Sequence, residues 1–225
     1  INHFQKLAAH SEKVWNEIET SNQLEEMQDF NLAQEKAIGR TAEALKLNQA
    51  LKFVFLGGGH DHVYVDLEAV KKSFPTKKLC IINLDPHLDT RIDPFYNSGT
   101  PFRQLDKKEF KDDLFIQIGT EEFANVKSSK ETFKHIKHNV YNFDLIKNES
   151  KNFTDNLNII SKIVPILDHN EYIYFLSIDL DAINSSLMEA VSAPNYRGVN
   201  FEFLANLIQF IQSNSNSFFT GFYEY

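Results

Sequence analysis

Six side chains in this sequence have the types and the spacing to hold metal ions. Asp85, His87 and Asp89 stand two apart at the end of the apolar run 79–84. Asp179 and Asp181 stand two apart at the end of a second run, 172–178. His60 follows a third run, 53–56, across Gly57-Gly58-Gly59. Alternate residues of an extended segment share a face, so each set can present its donors together. Carboxylate oxygen and imidazole nitrogen are hard and borderline donors suited to divalent cations such as Mn²⁺. Each set alone has an ordinary reading as well. D-x-H-x-D can be a polar strand end with capping duties, Asp179 and Asp181 can cap the next element, and His60 can serve the turn. Taken jointly, four carboxylates gathered without cations would repel, and some would have to protonate. Two divalent ions remove that difficulty.

Such a cluster needs strands that end side by side. The runs 53–56, 79–84, 114–118, 140–143, 172–178 and 218–225 read as six strands. Helical spacing over 3–18, 24–51, 61–72, 121–128, 153–164 and 201–212 places helices before and between them. Ser21 or Asn22 is a candidate cap for the second helix and Asn200 for the last, while Gly39 is a weak point inside the second. Strands alternating with helices predict a parallel sheet covered on both faces, in one domain spanning 1–225. In such sheets ligands bind at the carboxyl ends of the strands, where all six donors fall. Pro86 cannot donate a ladder hydrogen bond and ends its strand just as the donors begin.

With 225 residues, 42% of them hydrophobic, the chain can build a sizeable core. A formal net charge of -8 argues against a nucleic-acid surface or an anionic membrane as partner. The lone cysteine, Cys80, lies within an apolar run and reads as a buried hydrophobe. With no apolar run of transmembrane length and no leader pattern, the expectation is a cytoplasmic protein acting on a small molecule, with a homo-oligomer open.

The motifs Gly58-Gly59-His60-Asp61, Asn83-x-Asp85-x-His87-x-Asp89 and Ser177-x-Asp179-x-Asp181, in this order, resemble the ureohydrolases, the arginase–agmatinase–formimidoylglutamase family. The resemblance implies a three-layer α/β/α fold around a mostly parallel eight-stranded sheet, with two Mn²⁺ per chain. Eight strands against the six read here implies a chain incomplete at one or both ends. Carried over residue by residue, it assigns His60 and Asp89 to one Mn²⁺ and His87 and Asp181 to the other. Asp85 and Asp179 would bridge both and, with Glu224, count as catalytic. The chemistry explains the pair of metals. An amidine or guanidine carbon is a poor electrophile, and a hydroxide bridging two cations about 3.5–4 Å apart forms near neutral pH.

Within the family, the stretch Ser98-Gly99-Thr100-Pro101-Phe102 is like that of formimidoylglutamases, whereas arginases and agmatinases have a histidine in place of Ser98. Arg91 is like them too, and a guanidinium there can pair bidentately with a glutamate carboxylate. Arg103 and Arg197 are candidates for the second carboxylate, and Tyr196 for the pocket wall. Glu224 matches the family glutamate that faces the substrate's cationic nitrogen. One departure is the loop 182–190, which lacks the proline usual after the last ligand; Val191-Ser192-Ala193-Pro194 recovers the pattern. The expected reaction is N-formimidoyl-L-glutamate plus water to L-glutamate plus formamide, a step of histidine degradation. The alternatives are hydrolysis of agmatine or another guanidino compound, and a non-catalytic binding protein of the same fold. His62, His135, His138 and His169 match no motif and are read as solvated or structural.

Overall fold

The computed structural model describes residues 23–48, 52–93, 96–130, 132–149 and 152–224. Helix α1 (Gln23–Asn48) is followed by β1 (Lys52–Leu56), α2 (His62–Ser73) and β2 (Lys78–Leu84). Then come β3 (Leu114–Thr120), β4 (Lys137–Asn142), α3 (Phe143–Glu149), α4 (Phe153–Ile163), β5 (Tyr172–Asp179), α5 (Phe201–Ser213) and β6 (Phe218–Tyr223). The six strands form one parallel sheet in the order β1-β6-β5-β2-β3-β4.

Side-chain alternation divides the core between the two faces. Cys80, Ile82 and Leu84 of β2, with Tyr174, Leu176 and Ile178 of β5, pack under α3, α4 and α5. Leu79 and Ile81, with Ile173 and Phe175, pack on the opposite face with Leu45 of α1 and Val63, Leu67 and Val70 of α2. This is the three-layer α/β/α arrangement expected from the pattern. Because β2 and β5 are covered on both sides, they read as unbroken apolar runs rather than alternating ones.

The strand order positions the site. From β2 the chain continues to β3 on one side, and from β5 it continues to β6 on the other. Loops leaving neighbouring strands in opposite directions open a crevice between them. Register pairs Leu84 with Ile178 and Asp179 with Tyr223, so β2, β5 and β6 end at nearly one level.

Several local expectations shift. Helix α1 passes through Gly39 and is described as far as Asn48, the expected residues 49–51 lying outside the described ones. The helix expected over 3–18 and the caps at Ser21 and Asn22 lie outside the described residues. The segment near 121–128 is two short 3₁₀ turns, Glu122–Ala124 and Lys127–Lys130. Strand β4 starts earlier than expected, and Phe143 opens helix α3 rather than closing a strand. Asn142 Oδ1 accepts the Leu145 amide at 3.3 Å, while Phe143 and Ile146 bury one turn apart. Seven residues are too few for that periodicity to announce itself. Asn200 caps α5 as expected, accepting the Phe203 amide at 2.8 Å. The described residues hold six strands, against eight in the arrangement the resemblance implies.

Candidate metal centre

All six donors converge at the crevice between β2 and β5. His60 Nδ1 lies 2.8 Å from Asp89 Oδ2, 3.1 Å from Asp85 Oδ2 and 3.2 Å from Asp179 Oδ2. These four side chains form one group that can hold an ion; His87, Asp179 and Asp181 form a second. Asp179 belongs to both. Asp85 spans them too, because its other oxygen, Oδ1, lies 3.3 Å from His87 Nδ1 and accepts the His87 amide at 2.7 Å.

The local backbone explains these positions. Strand β2 is buried from Leu79 to Leu84, and Pro86 then releases the chain so that Asp85, His87 and Asp89 can turn into the crevice. Asp89 sits in the left-handed region at φ 50°, a conformation that costs a non-glycine residue energy and is concentrated at functional sites. Asp179 Oδ1 accepts the Asp181 amide at 2.7 Å, closing a 3₁₀ turn that brings the two carboxylates together. Asp181 is steadied by the Ala193 amide at 3.1 Å and the Ser192 hydroxyl at 3.2 Å. The Val191–Pro194 stretch singled out in the sequence therefore folds back onto a candidate ligand.

His60 is oriented from every side. Its ring stacks on Tyr223 at 5.1 Å between centroids and meets Phe102 edge-on at 5.4 Å. Its Nε2 pairs with Ser177 Oγ at 2.8 Å, so a proton donated there leaves the Nδ1 lone pair facing the carboxylates. Ser177 belongs to the Ser177-x-Asp179-x-Asp181 motif, whose spacing alone assigns it no role.

The electrostatics are those of a site built for cations. Burial pushes Asp179 well above the ordinary carboxylate range, with the charge of Asp85 adding to it. The same two causes raise Asp89 to about 6, and burial also raises Asp181. Burial raises Asp85 as well, but contact with His60 and His87 outweighs it and holds that carboxyl below its usual range. His87 is raised to about 9, chiefly by its hydrogen bond to Asp85. Burial would lower His60, yet its three close carboxylates, Asp179 first, raise it well above 6.5. The cluster thus retains protons to offset its own repulsion. Bound divalent cations offset that charge without protons. His60 Nδ1 is also a buried polar atom without an aligned hydrogen bond, although three oxygens surround it. One nitrogen and three oxygens about a common focus fit a divalent ion, and the residues present fit the pair that the resemblance implies.

Glu224 closes one wall. It follows β6, has φ 63°, and accepts the His60 amide at 2.8 Å through Oε1. Its own amide donates to Gly58 O at 2.7 Å. Arg91 is half-buried, donates to Asn97 Oδ1 at 2.7 Å and lies 3.2 Å from Asp93. Gly99 makes room for its guanidinium, which any Cβ there would strike. Ser98 is exposed in the turn beside it. Arg103 donates to Thr90 O at 2.9 Å and stacks over Phe133, bracing the loop from outside.

The structure does not bring Tyr196 or Arg197 to the carboxylate cluster. Tyr196 is 74% exposed. The Arg197 guanidinium is drawn to Asp144 at 2.5 Å and Glu121 at 3.3 Å. Both line a separate cavity of about 480 Å³ with Phe143, Asn184 and Phe203, and none of the six donors is in its wall.

Residues 5–222 match the Arginase family, and the chain belongs to it. Within that family it is similar to the formimidoylglutamase of Staphylococcus aureus strain JH9, at 32% identity over 145 residues, 64% of this chain and 44% of that protein. The chain thus spans less than half the length of the curated relatives it matches. Its fold is that of formimidoylglutamase from Bacillus subtilis, with a TM-score of 0.73 at 22% identity over 85% of this chain and 59% of the other. It is also that of Trypanosoma cruzi formiminoglutamase with Mn²⁺, with a TM-score of 0.70 at 22% identity over 91% and 65%. Among the described residues no helix is long and apolar enough to cross a membrane.

Proposed function

We propose that this chain carries the catalytic metal centre of a manganese-dependent hydrolase that splits the amidine C–N bond of N-formimidoyl-L-glutamate. Water and substrate give L-glutamate and formamide: the formimidoyl carbon gains the water oxygen, and its bond to the glutamate nitrogen breaks. The observation that carries this reading is the convergence of four carboxylates and two imidazoles from three strand ends in two groups sharing Asp179.

His60, Asp85, Asp89 and Asp179 would hold one ion. His87 and Asp181, with Asp179 and the second oxygen of Asp85, would hold the other. A bound pair of divalent ions supplies a water that ionises near neutral pH. The chain's own residues do the rest. Glu224, fixed by the His60 amide, sets a carboxylate at the rim where a cationic amidine nitrogen can pair with it. Arg91 is held by a hydrogen bond to Asn97 and an ion pair with Asp93, and its remaining N–H donors would pair with a substrate carboxylate. Ser98 lies in the turn that carries Asn97, beside that guanidinium.

The test is a comparison of substrates. The Mn²⁺-loaded full-length protein should hydrolyse formimidoylglutamate faster than agmatine, arginine or guanidinobutyrate. Faster turnover of agmatine would leave the family standing and remove the glutamate assignment. No hydrolysis of any of them by protein carrying two ions would favour a binding role for the fold.

A further inference from the structure

The peptide units that run from Pro86 to Asp89, through the candidate ligand His87, are gripped by two amides from outside the motif. Asn125 Oδ1 accepts the Leu88 amide at 2.7 Å, and Asn125 Nδ2 donates to Pro86 O at 3.0 Å. Both peptides flanking His87 are thereby held by one side chain. The same Nδ2 donates to Glu121 O at 2.7 Å, tying Asn125 to the end of β3. On the other side, Gln117 Nε2 donates to Leu88 O at 2.5 Å and so holds the peptide that leads into Asp89.

Gln117 is completely buried, and its orientation is set from behind. Its Oε1 pairs with His138 Nε2 at 2.7 Å. The Leu88 carbonyl can only accept, so Gln117 must turn its NH₂ to Leu88 and its oxygen to His138, which then donates. Burial lowers His138 to about 4, with Arg103 adding to the effect, so the ring is neutral with one nitrogen free to carry that proton. The ring stacks on Phe115 at 4.8 Å and meets Phe133 edge-on at 4.7 Å. A line of contacts thus runs from β4 through β3 to the backbone of Asp89, the ligand with the left-handed conformation.

We propose that Gln117 and Asn125 are positioning residues that act on different ions: Gln117 sets the group containing His60 and Asp89, and Asn125 sets the group containing His87 and Asp181. Sharing of the work follows from which peptide each amide holds. An Asp89 whose preceding carbonyl is released can leave its φ of 50° and swing its carboxylate away from His60. A His87 whose two flanking peptides are released loses the backbone that aims its ring. This inference rests on the two-metal reading.

The experiment is a Mn²⁺ titration of wild-type protein, Gln117→Met and Asn125→Leu, following free Mn²⁺ by electron paramagnetic resonance and bound metal by mass spectrometry. Each variant should lose about 10- to 100-fold in affinity at one step, the range for removal of a partner behind a metal ligand, and hold the other within about threefold. Added to His60→Ala, which retains the His87 ion, Gln117→Met should cost little further, whereas Asn125→Leu should still weaken binding. Melting of the metal-free proteins separates out general destabilisation. A lower melting temperature with both steps unchanged, or both steps shifted alike, overturns the assignment. If Gln117→Met does not fold, His138→Phe keeps the ring between Phe115 and Phe133 while removing its hydrogen bond; it should weaken the same step as Gln117→Met, and no change there overturns the proposal. Wild-type protein that takes up no Mn²⁺ refutes the two-metal reading itself, and the clamp with it.

Discussion

Asp66 supplies a prediction whose size can be worked from its surroundings. It lies in α2 beneath the centre, buried, and accepts a hydrogen bond from the Tyr223 hydroxyl at 2.8 Å. Tyr223 is in turn the ring on which His60 stacks. Burial raises the Asp66 carboxyl from 3.8 to about 7, and the Tyr223 hydrogen bond opposes that only in part. At about 1.4 kcal/mol per tenfold change in acidity, the difference is about 4 kcal/mol. The folded value lies above the unfolded one, so the contribution is complete below about pH 4 and is lost as the pH rises through about 7. Asp66→Asn keeps an oxygen to accept from Tyr223 and cannot ionise. The variant and the wild type should therefore be close in stability at pH 4. The variant should become the more stable as the pH rises, by up to about 4 kcal/mol at pH 8. Urea unfolding of both proteins at each pH, with a chelator present, measures the difference, and the titration of the metal ligands cancels between them. A difference constant from pH 4 to 8 would refute the reasoning.

Other outcomes follow from the centre and its rim. Protein purified with Mn²⁺ should hold close to two ions; metal analysis should find both lost in Asp85→Ala and Asp179→Ala and mainly one weakened in His60→Ala. Adding Mn²⁺ to chelated protein at about 100 times the dissociation constant should stabilise it by roughly 2.7 kcal/mol per site, and an unchanged melting curve would count against a bound pair. Arg91→Lys should raise KM for formimidoylglutamate by about 10- to 100-fold, the scale of a hydrogen bond to a charged group, with two ions still bound. Glu224→Gln should lower kcat by a similar factor, because on the proposed reading its carboxylate would pair with the reacting end of the substrate; unchanged turnover would remove it from the site.

Much of the centre was legible because its determinants are local. Apolar runs of strand length, followed within a few residues by donors two apart in two cases and by His60 after a glycine turn in the third, specify both a buried strand and a face at its end. His60, Asp85, His87, Asp89, Asp179 and Asp181 could be named from that pattern, and the alternation of strands and helices implied a parallel sheet that would bring the strand ends together. Asn200 sits three residues before the amide it caps, a spacing that sequence displays directly.

Tertiary structure alone decided what depends on pairing between distant segments. Nothing in the runs themselves says that β2 lies between β5 and β3, yet that order opens the crevice and sets Gln117 beside the 85–89 loop. Gln117 and Asn125 are uncharged amides outside any motif, and only the fold shows that they grip Leu88. Arg197 and Tyr196 are attractive by residue type, but Glu121 and Asp144, more than fifty residues away, draw the guanidinium elsewhere, and Tyr196 is exposed. A chemical type and a short spacing are properties of a segment. Which carboxylate a cation meets, and which carbonyl an amide reaches, are set by the close packing of segments that the chain keeps far apart.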